Sequence, residues 1–374
     1  MDQLSFSQVC LAIVLSLTSA LPTRGVQVSL EPFPPPNVAP PGARYAGSAS
    51  CAKCHVEAQT QPATPMGHAM ETAAGCAGLR QHPRLTFRTG AYRYEIVRTG
   101  EASIYTVSDG QRSISLPVLY ALGVGDAGQT YVLNYQHTYY ESRVSFFNDT
   151  QSLDFTLGAA RSIPTSLEDA IGRPMTKADT ALCFGCHSTG AVAAGRLEFN
   201  RLVPGVSCES CHGPGAEHIE AVASGHLDKP RVFNPGRLEP GDLADFCGTC
   251  HRTWMQVEML HLRGVANVRF QPYRLTLSKC YDRDDNRISC LACHDPHKNV
   301  VREPASYDAA CVACHVSRPK PAATKTSAPT APPCPVKQRL CVTCHMPKYS
   351  LPGAHFRFTD HRIRVVHPGE PYPG

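Results

Sequence analysis

The chain has 374 residues, among them 18 cysteines, 17 histidines, 32 prolines and 28 glycines. This length suits one large or two modest domains, and so many prolines and glycines argue against long helices or extensive sheets. The formal net charge of +5 is only mildly basic.

Residues 1–20 resemble a secretory signal peptide. The short apolar run Val9–Leu17 precedes the small residues Thr18, Ser19 and Ala20, although no lysine or arginine precedes the run. The run is too short to span a bilayer comfortably, so cleavage is favoured over an uncleaved membrane anchor. Residues 21–48 form a proline-rich spacer, which is either a tether to a surface or partner or a simple leader to the first domain.

Seven Cys-x-x-Cys-His motifs dominate the rest of the chain. In each motif the two cysteines share one face of a helical turn, and the histidine follows directly. This pattern is typical of c-type haem attachment, in which the thiols bond the vinyl groups and the imidazole binds the iron. We number the motifs 1 to 7: Cys51, Cys54 and His55; Cys183, Cys186 and His187; Cys208, Cys211 and His212; Cys247, Cys250 and His251; Cys290, Cys293 and His294; Cys311, Cys314 and His315; Cys341, Cys344 and His345.

Two other interpretations of the cysteines are weaker. Zinc ribbons use paired cysteines, but zinc does not explain why a histidine follows every pair. A disulfide framework also leaves these histidines unexplained. Seven covalently bound haem c groups are therefore favoured. Residues 1–20 include Asp2 but no basic residue, so their removal leaves +6, and two propionates per haem then give about −8. Nucleic-acid binding is therefore not expected.

The density of motifs predicts the fold class. Motifs 2 to 7 occupy 163 residues, about 27 per haem, too few to wrap a conventional apolar core around each porphyrin. We therefore expect an α+β fold with little regular secondary structure. Short α-helices and irregular loops would surround a stacked multihaem core, with a small antiparallel β insert. The expected segments are the first haem segment 49–83, the β-rich insert 84–160, the hexahaem core 161–350 and a histidine-containing tail 351–374.

Local patterns place the regular elements. Alternating polar and β-branched or aromatic residues over 84–157 predict antiparallel strands. Residues 166–187 and 242–262 are predicted helices, with Asp242 as a cap of the second. Residues 318–335 are predicted to form a surface loop.

Ten histidines outside the motifs could supply a second axial ligand to the irons. Two imidazoles on one iron suit electron transfer, whereas an open side permits substrate binding. His82, His226 and His367 are weaker candidates, and a methionine could replace one histidine. The favoured distal ligands are His68, His137, His218, His261, His297, His355 and His361.

Three of these histidines should bind a haem other than that of the preceding motif. His218 and His297 follow their motifs too closely to reach the opposite face of the same haem. His261 lies about 15 Å further along a predicted helix than His251. Such ligands would join adjacent haems.

Two segments resemble a known group of proteins. The sequences Cys208-Glu-Ser-Cys-His-Gly-Pro-Gly-Ala-Glu-His218 and Cys290-Leu-Ala-Cys-His-Asp-Pro-His297 resemble multihaem cytochromes related to the tetrahaem cytochrome of ammonia oxidisers. Octahaem tetrathionate reductase and hydroxylamine oxidoreductase belong to the same superfamily. The resemblance covers Ala46 to His361 in motif order. It implies haems stacked in parallel and perpendicular pairs, with His218 and His297 as distal ligands.

Two functions follow from these features. The first is an exported electron carrier, periplasmic or at the cell surface, with redox proteins as donor and acceptor. It could work in a membrane-associated complex, an oligomer or a filament. The second is a reductase or oxidase of a small nitrogen or sulfur compound at one five-coordinate haem. The carrier, without enzymatic activity, is favoured because the histidines suffice for two ligands per iron. Cys280 and Cys334 lie outside all motifs and are candidates for a disulfide.

Overall fold

The computed structural model describes residues 42–193, 196–226, 232–315, 334–337 and 339–374. The predicted signal peptide, most of the proline-rich spacer and most of the 318–335 loop lie outside these residues. Within the described part of the chain, no helix combines the length and the hydrophobicity needed to cross a bilayer.

Antiparallel strands occur throughout the segment where alternation predicts them. In β3, Tyr92, Tyr94 and Ile96 are buried while Arg93 between them is exposed, which is the period of two expected of a half-buried strand. The strands are β1 Met70–Thr72, β2 Arg84–Thr89, β3 Tyr92–Thr99, β4 Ala102–Ser108, β5 Ser113–Pro117, β6 Tyr120–Leu122, β7 Gln129–Tyr135, β8 Thr138–Phe147, β9 Ser152–Phe155, β10 Gly172–Pro174, β11 Ser188–Thr189, β12 Val192–Ala193, β13 Arg196–Leu197, β14 Val203–Pro204, β15 Lys348–Ser350 and β16 Arg357–Thr359.

Two sheets share one apolar core. Strands β2 to β5 form a four-stranded sheet, and the order β1-β6-β7-β8-β10, with β9 also paired to β8, forms a six-stranded sheet. Side chains of both sheets meet in this core, among them Tyr94, Tyr105, Tyr131 and Val144. Because β1 and β10 lie outside 84–160, the larger sheet takes strands from both sides of the predicted insert. Three two-stranded ribbons, β11-β14, β12-β13 and β15-β16, complete the described pairings.

The helices are short, and the two longest in the described residues, α4 and α7, have 11 and 12 residues. Both end at a motif histidine. The α-helices are α1 Ser48–Cys51, α2 Ala77–Gln81, α3 Leu167–Ile171, α4 Lys177–His187, α5 Cys208–His212, α6 Ala216–Ala223, α7 Pro240–His251, α8 Trp254–Met259, α9 Gln271–Thr276, α10 Cys290–Cys293, α11 Asp308–Val312 and α12 Val342–His345. Short 3-10 segments cover Val56–Gln59, Gln61–Ala63, Phe199–Arg201, Pro235–Arg237, Val265–Arg269 and Pro304–Tyr307.

The prediction of one helix over 166–187 is wrong in its middle. Helix α3 ends at Ile171, and β10 then pairs with β8. Gly172 has a φ of 145°, and a Cβ there would overlap the Glu141 carbonyl, so only glycine permits this close pairing. Helix α4 begins afresh with a capping box between Thr176 and Asp179.

The second predicted helix, over 242–262, begins earlier and is interrupted. Pro240 opens α7 after Glu239, so Asp242 lies in the first turn and is not the cap. Arg252 adopts a φ of 69° and ends the helix. Thr253 then caps the separate helix α8.

The apolar core is concentrated in the β region. Among the described residues from 196 onward, buried apolar side chains form one cluster of three residues, Val257, Phe270 and Tyr273. The described part of the segment with motifs 3 to 7 therefore has a small apolar core of its own.

Replacing Gly205 by alanine is expected to lower the free energy of unfolding by about 1–3 kcal/mol. Gly205 has a φ of 80°, and a Cβ there would overlap the Gly67 carbonyl. The close contact between the segments of Gly205 and Gly67 also lets the Val206 N–H donate to the Met66 carbonyl at 2.9 Å. Chemical denaturation followed by circular dichroism measures the change.

Gly225 is the matched control for this substitution. Its φ is also 80°, but a Cβ there meets nothing within 4 Å. Gly225→Ala therefore places an alanine in the same backbone conformation but without the steric overlap. It should lower the free energy of unfolding by less than Gly205→Ala. Equal effects of the two substitutions would contradict the steric explanation.

Candidate functional site

Each of the seven motifs forms a turn of helix. Motifs 2, 3 and 4 lie in α4, α5 and α7. In motifs 1, 5, 6 and 7 the histidine N–H donates to the carbonyl of the first cysteine at 2.9–3.1 Å. This i to i−4 bond places both cysteines of a motif on one side of the turn. The donor set and its local geometry fit covalent attachment of haem c.

Backbone carbonyls orient three of the motif imidazoles. The Nδ1 atoms of His187, His212 and His345 lie 2.8–2.9 Å from the carbonyls of Ala69, Phe233 and Arg364, respectively. A carbonyl only accepts, so Nδ1 carries the proton and Nε2 keeps its lone pair for a metal. Burial also lowers the pKa of His187, which favours the neutral form that a ligand requires.

Three motif imidazoles face an imidazole from another part of the described chain. The ring centroids of His55 and His218 are 6.3 Å apart. Those of His212 and His297 are 6.1 Å apart with an interplanar angle of 11°. Those of His294 and His361 are 6.2 Å apart.

The facing imidazoles come from segments beyond the nearest motif. His218 follows motif 3 but faces motif 1, and His297 follows motif 5 but faces motif 3. His361 lies in the tail and faces motif 5, and burial lowers its pKa to about 4. It is therefore neutral near pH 7.

The other four predicted distal histidines have different surroundings. His68 is exposed, and its Nδ1 lies 3.0 Å from Glu71. His137 is exposed in the two-residue turn between β7 and β8, and His261 is exposed just after α8; both have a positive φ. The Nε2 of His355 lies 2.8 Å from Asp154, which leaves Nδ1 as its remaining ring nitrogen.

Cysteines of different motifs lie side by side, and these contacts join the seven motifs into three groups. Motif 1 meets motif 3 through Cys51 and Cys208. Motif 4 meets two others, since Cys250 lies beside Cys186 and Cys247 beside Cys290. Motifs 6 and 7 meet through Cys311 and Cys341.

A zinc ribbon would need four ligands around one ion. Among the described residues, no three or more histidine, cysteine, aspartate or glutamate side chains converge in a way that could hold a metal ion.

The hypothesis of a disulfide between Cys280 and Cys334 is not supported. Both thiols are free. Cys280 lies near Cys314 of motif 6, where burial raises the pKa of its thiol. The position of Cys280 beside motif 6 was not predictable from cysteine counting.

Sequence reasoning also missed two buried carboxylates next to candidate ligands. Asp360 precedes His361 and accepts two hydrogen bonds from Arg274 at 2.8 and 3.0 Å, with both side chains fully buried. Glu209 lies inside motif 3 and is 3 % exposed. The only feature of the sequence that could have pointed to these two carboxylates is their position next to a candidate histidine or inside a motif.

Seven helical Cys-x-x-Cys-His turns, three of them with a second imidazole opposite, have the chemistry of a c-type cytochrome. A family model described as cytochrome c554 and c-prime matches residues 157–213, which contain motifs 2 and 3. The match supports a relation to cytochromes c, which implies covalently bound haem c and suggests a multihaem electron carrier. Neither the curated proteins nor the solved structures contain a match to this chain.

Proposed function

We propose that the protein is an exported heptahaem c-type cytochrome that transfers electrons along closely packed haems, most of them with two histidine ligands. The observation that carries this proposal is the spacing of the three imidazole pairs. A ring nitrogen lies about 2 Å from a first-row metal that it binds, so two rings on opposite sides of one iron have centroids about 6 Å apart. The pairs are spaced at 6.1–6.3 Å.

The origin of the paired histidines supports a continuous array. His218 would link motif 1 to the segment of motif 3, and His297 would link motif 3 to the segment of motif 5. The neighbouring cysteines of motifs 2 and 4, and of motifs 4 and 5, support the same compact arrangement. Haem c supplies the one-electron redox chemistry when bound. The protein orients the imidazoles through the carbonyls of Ala69, Phe233 and Arg364.

Export and redox partners complete the proposal. Residues 1–20 have the features of a signal peptide, and c-type haem is attached outside the cytoplasm. A periplasmic or cell-surface location follows, with redox proteins as electron donor and acceptor. A membrane-associated complex, an oligomer or a filament would extend the same electron path.

Intact-protein mass spectrometry after maturation in a host with haem-attachment machinery should show seven added haem groups, one for each motif. Low-temperature EPR of the oxidised protein should show predominantly low-spin iron, because two imidazoles give a strong ligand field. Fewer than five attached haems, or predominantly high-spin iron, would contradict the proposal.

A second candidate function is reduction or oxidation of a small nitrogen or sulfur compound. A cavity of about 290 Å³ is lined by polar groups that include His68, Glu71 and His82. One lining residue, His68, is the chain neighbour of Ala69, whose carbonyl orients His187 of motif 2. Turnover of hydroxylamine, nitrite or tetrathionate by the pure protein, together with one high-spin iron that binds cyanide, would favour this function over the carrier.

A further inference from the structure

Motif 3 contains a buried carboxylate between its two cysteines. Glu209 is 3 % exposed, and its carboxylate accepts hydrogen bonds from three backbone N–H groups. Oε1 accepts from Ala46 at 2.7 Å and from Gly215 at 2.8 Å, while Oε2 accepts from Gly47 at 2.8 Å. An ionised carboxylate only accepts hydrogen bonds, so it matches these three donors.

The three donors belong to the two segments that carry the first imidazole pair. Ala46 and Gly47 directly precede α1, which leads into His55. Gly215 directly precedes α6, which carries His218. A single oxygen atom, Oε1, therefore connects the backbone before one imidazole to the backbone before the other. The two rings then face each other with centroids 6.3 Å apart.

Other contacts between these segments are weaker or more exposed. Arg44 and Glu220 form an ion pair at 2.5 Å, but their side chains are 64 % and 59 % exposed. Exposed pairs of this kind contribute little to stability. The thiol of Cys208 lies 3.5 Å from the Ser48 hydroxyl, a weak hydrogen bond. Burial of a carboxylate is costly unless hydrogen bonds compensate for the lost water. The buried Glu209 carboxylate has three such bonds, so we regard it as the strongest of these connections.

The second residue between the cysteines of motif 3 makes a parallel connection. Ser210 is also buried, and its hydroxyl lies 2.6 Å from the hydroxyl of Thr189. Thr189 is in β11, two residues after His187 of motif 2. The two residues between the cysteines thus tie motif 3 to the segments of motifs 1 and 2, respectively.

We infer that Glu209 is a positioning residue that sets the separation of His55 and His218 and so decides whether the motif 1 iron keeps its second imidazole. Without Glu209, the segment before α1 and the segment before α6 lose their common acceptor, and three backbone N–H groups lose the carboxylate that they donate to. This inference rests on the ligation proposed above and assigns a role to a residue that does not itself touch the haem iron.

Low-temperature EPR of holoprotein carrying Glu209→Ala should show one of the seven irons converted to high spin. Added imidazole should return that iron to low spin, which a general loss of stability would not allow. Mass spectrometry should still find seven haems. Glu209→Gln keeps one oxygen acceptor but turns an amide N–H₂ toward a backbone donor, so its high-spin fraction should be intermediate.

Glu220→Ala is the matched control, because it removes an exposed carboxylate between the same two segments. Its spin states should equal those of the wild type. His218→Ala separates the two proposals. If His218→Ala leaves all irons low-spin, the proposed ligation fails whatever Glu209 does.

If His218→Ala produces a high-spin iron but Glu209→Ala leaves the spin states unchanged, the role of Glu209 is overturned. If Glu209→Ala lowers the unfolding midpoint but leaves the spin states unchanged, the proposed role of Glu209 is likewise overturned. If Glu209→Ala cannot be isolated, Glu209→Gln provides the test. The inference is overturned if the high-spin fraction and the g values of Glu209→Gln both equal those of the wild type.

Discussion

Replacing Asp360 by alanine is expected to lower the free energy of unfolding by about 3–5 kcal/mol, the cost of leaving a buried charge without its partner. The guanidinium of Arg274 donates to both carboxylate oxygens of Asp360, and neither side chain is exposed. Arg364 donates to the same carboxylate at 2.9 Å. Removal of Asp360 therefore leaves the buried Arg274 uncompensated and weakens the position of Arg364.

The loss of stability in Asp360→Ala should affect the surroundings of two candidate haem ligands most. Asp360 directly precedes His361, whose ring faces His294. The carbonyl of Arg364 holds the Nδ1 of His345. One buried ionic network therefore supports the imidazole opposite motif 5 and the motif histidine of motif 7.

Guanidinium denaturation followed by haem absorbance and by circular dichroism measures this effect. The double variant Arg274→Met/Asp360→Leu should be less destabilised than Asp360→Ala, because it removes the buried charge of Arg274 together with its partner, while Arg364 keeps its ion pair with Glu370. Arg263→Ala is the control, since it removes an exposed partner of Glu258 and should cost less than about 1 kcal/mol. A loss for Asp360→Ala as small as that of the control would refute the argument.

Replacing His297 by alanine is expected to convert one of the seven irons from low spin to high spin while all seven haems remain attached. His297 faces His212 with an interplanar angle of 11° and a centroid separation of 6.1 Å. Its Nδ1 lies 3.2 Å from the Asp295 carboxylate, which orients the ring and leaves Nε2 for the metal. On the proposed ligation, removal of this ring would leave the iron of motif 3 with one imidazole instead of two.

EPR and absorbance of the oxidised protein detect the change, and haem mass confirms that attachment is intact. His226→Ala is the matched control, because His226 is exposed just beyond α6 and is a weaker ligand candidate. Unchanged spin states in His297→Ala would exclude His297 as a ligand. The same change in the control would show that the effect is not specific.

The regular elements were predictable to different degrees. Strands β2, β3 and β4 were predictable because their residues alternate between more and less buried positions. Strands β7 and β8 contain runs of three and six buried residues, so alternation describes them less well. The breaks in the two predicted helices were harder to predict. Gly172–Pro174 forms a strand because β8 offers an edge to pair with, a partner more than 25 residues away along the chain.

Some residues of the candidate site were also predictable from the sequence, and others were not. The motif residues were recognisable because five consecutive positions carry the whole signal. His218 and His297 were expected to serve a neighbouring haem because a chain of six or three residues is too short to pass around a porphyrin. Which motif each one faces was not predictable, and neither were the buried Glu209 and Asp360.

The sequence by itself determined the local chemistry: seven helical turns that each present two cysteines and a histidine, and a β region with its own alternating pattern. These features depend on residues a few positions apart, so local spacing is sufficient to define them. Only the tertiary structure decided that His55 faces His218, His212 faces His297 and His294 faces His361. These pairs join segments between 67 and 163 residues apart. Long-range contacts of Glu209 and Asp360 lie beside two of these pairs, and a linear spacing rule contains no information about such contacts.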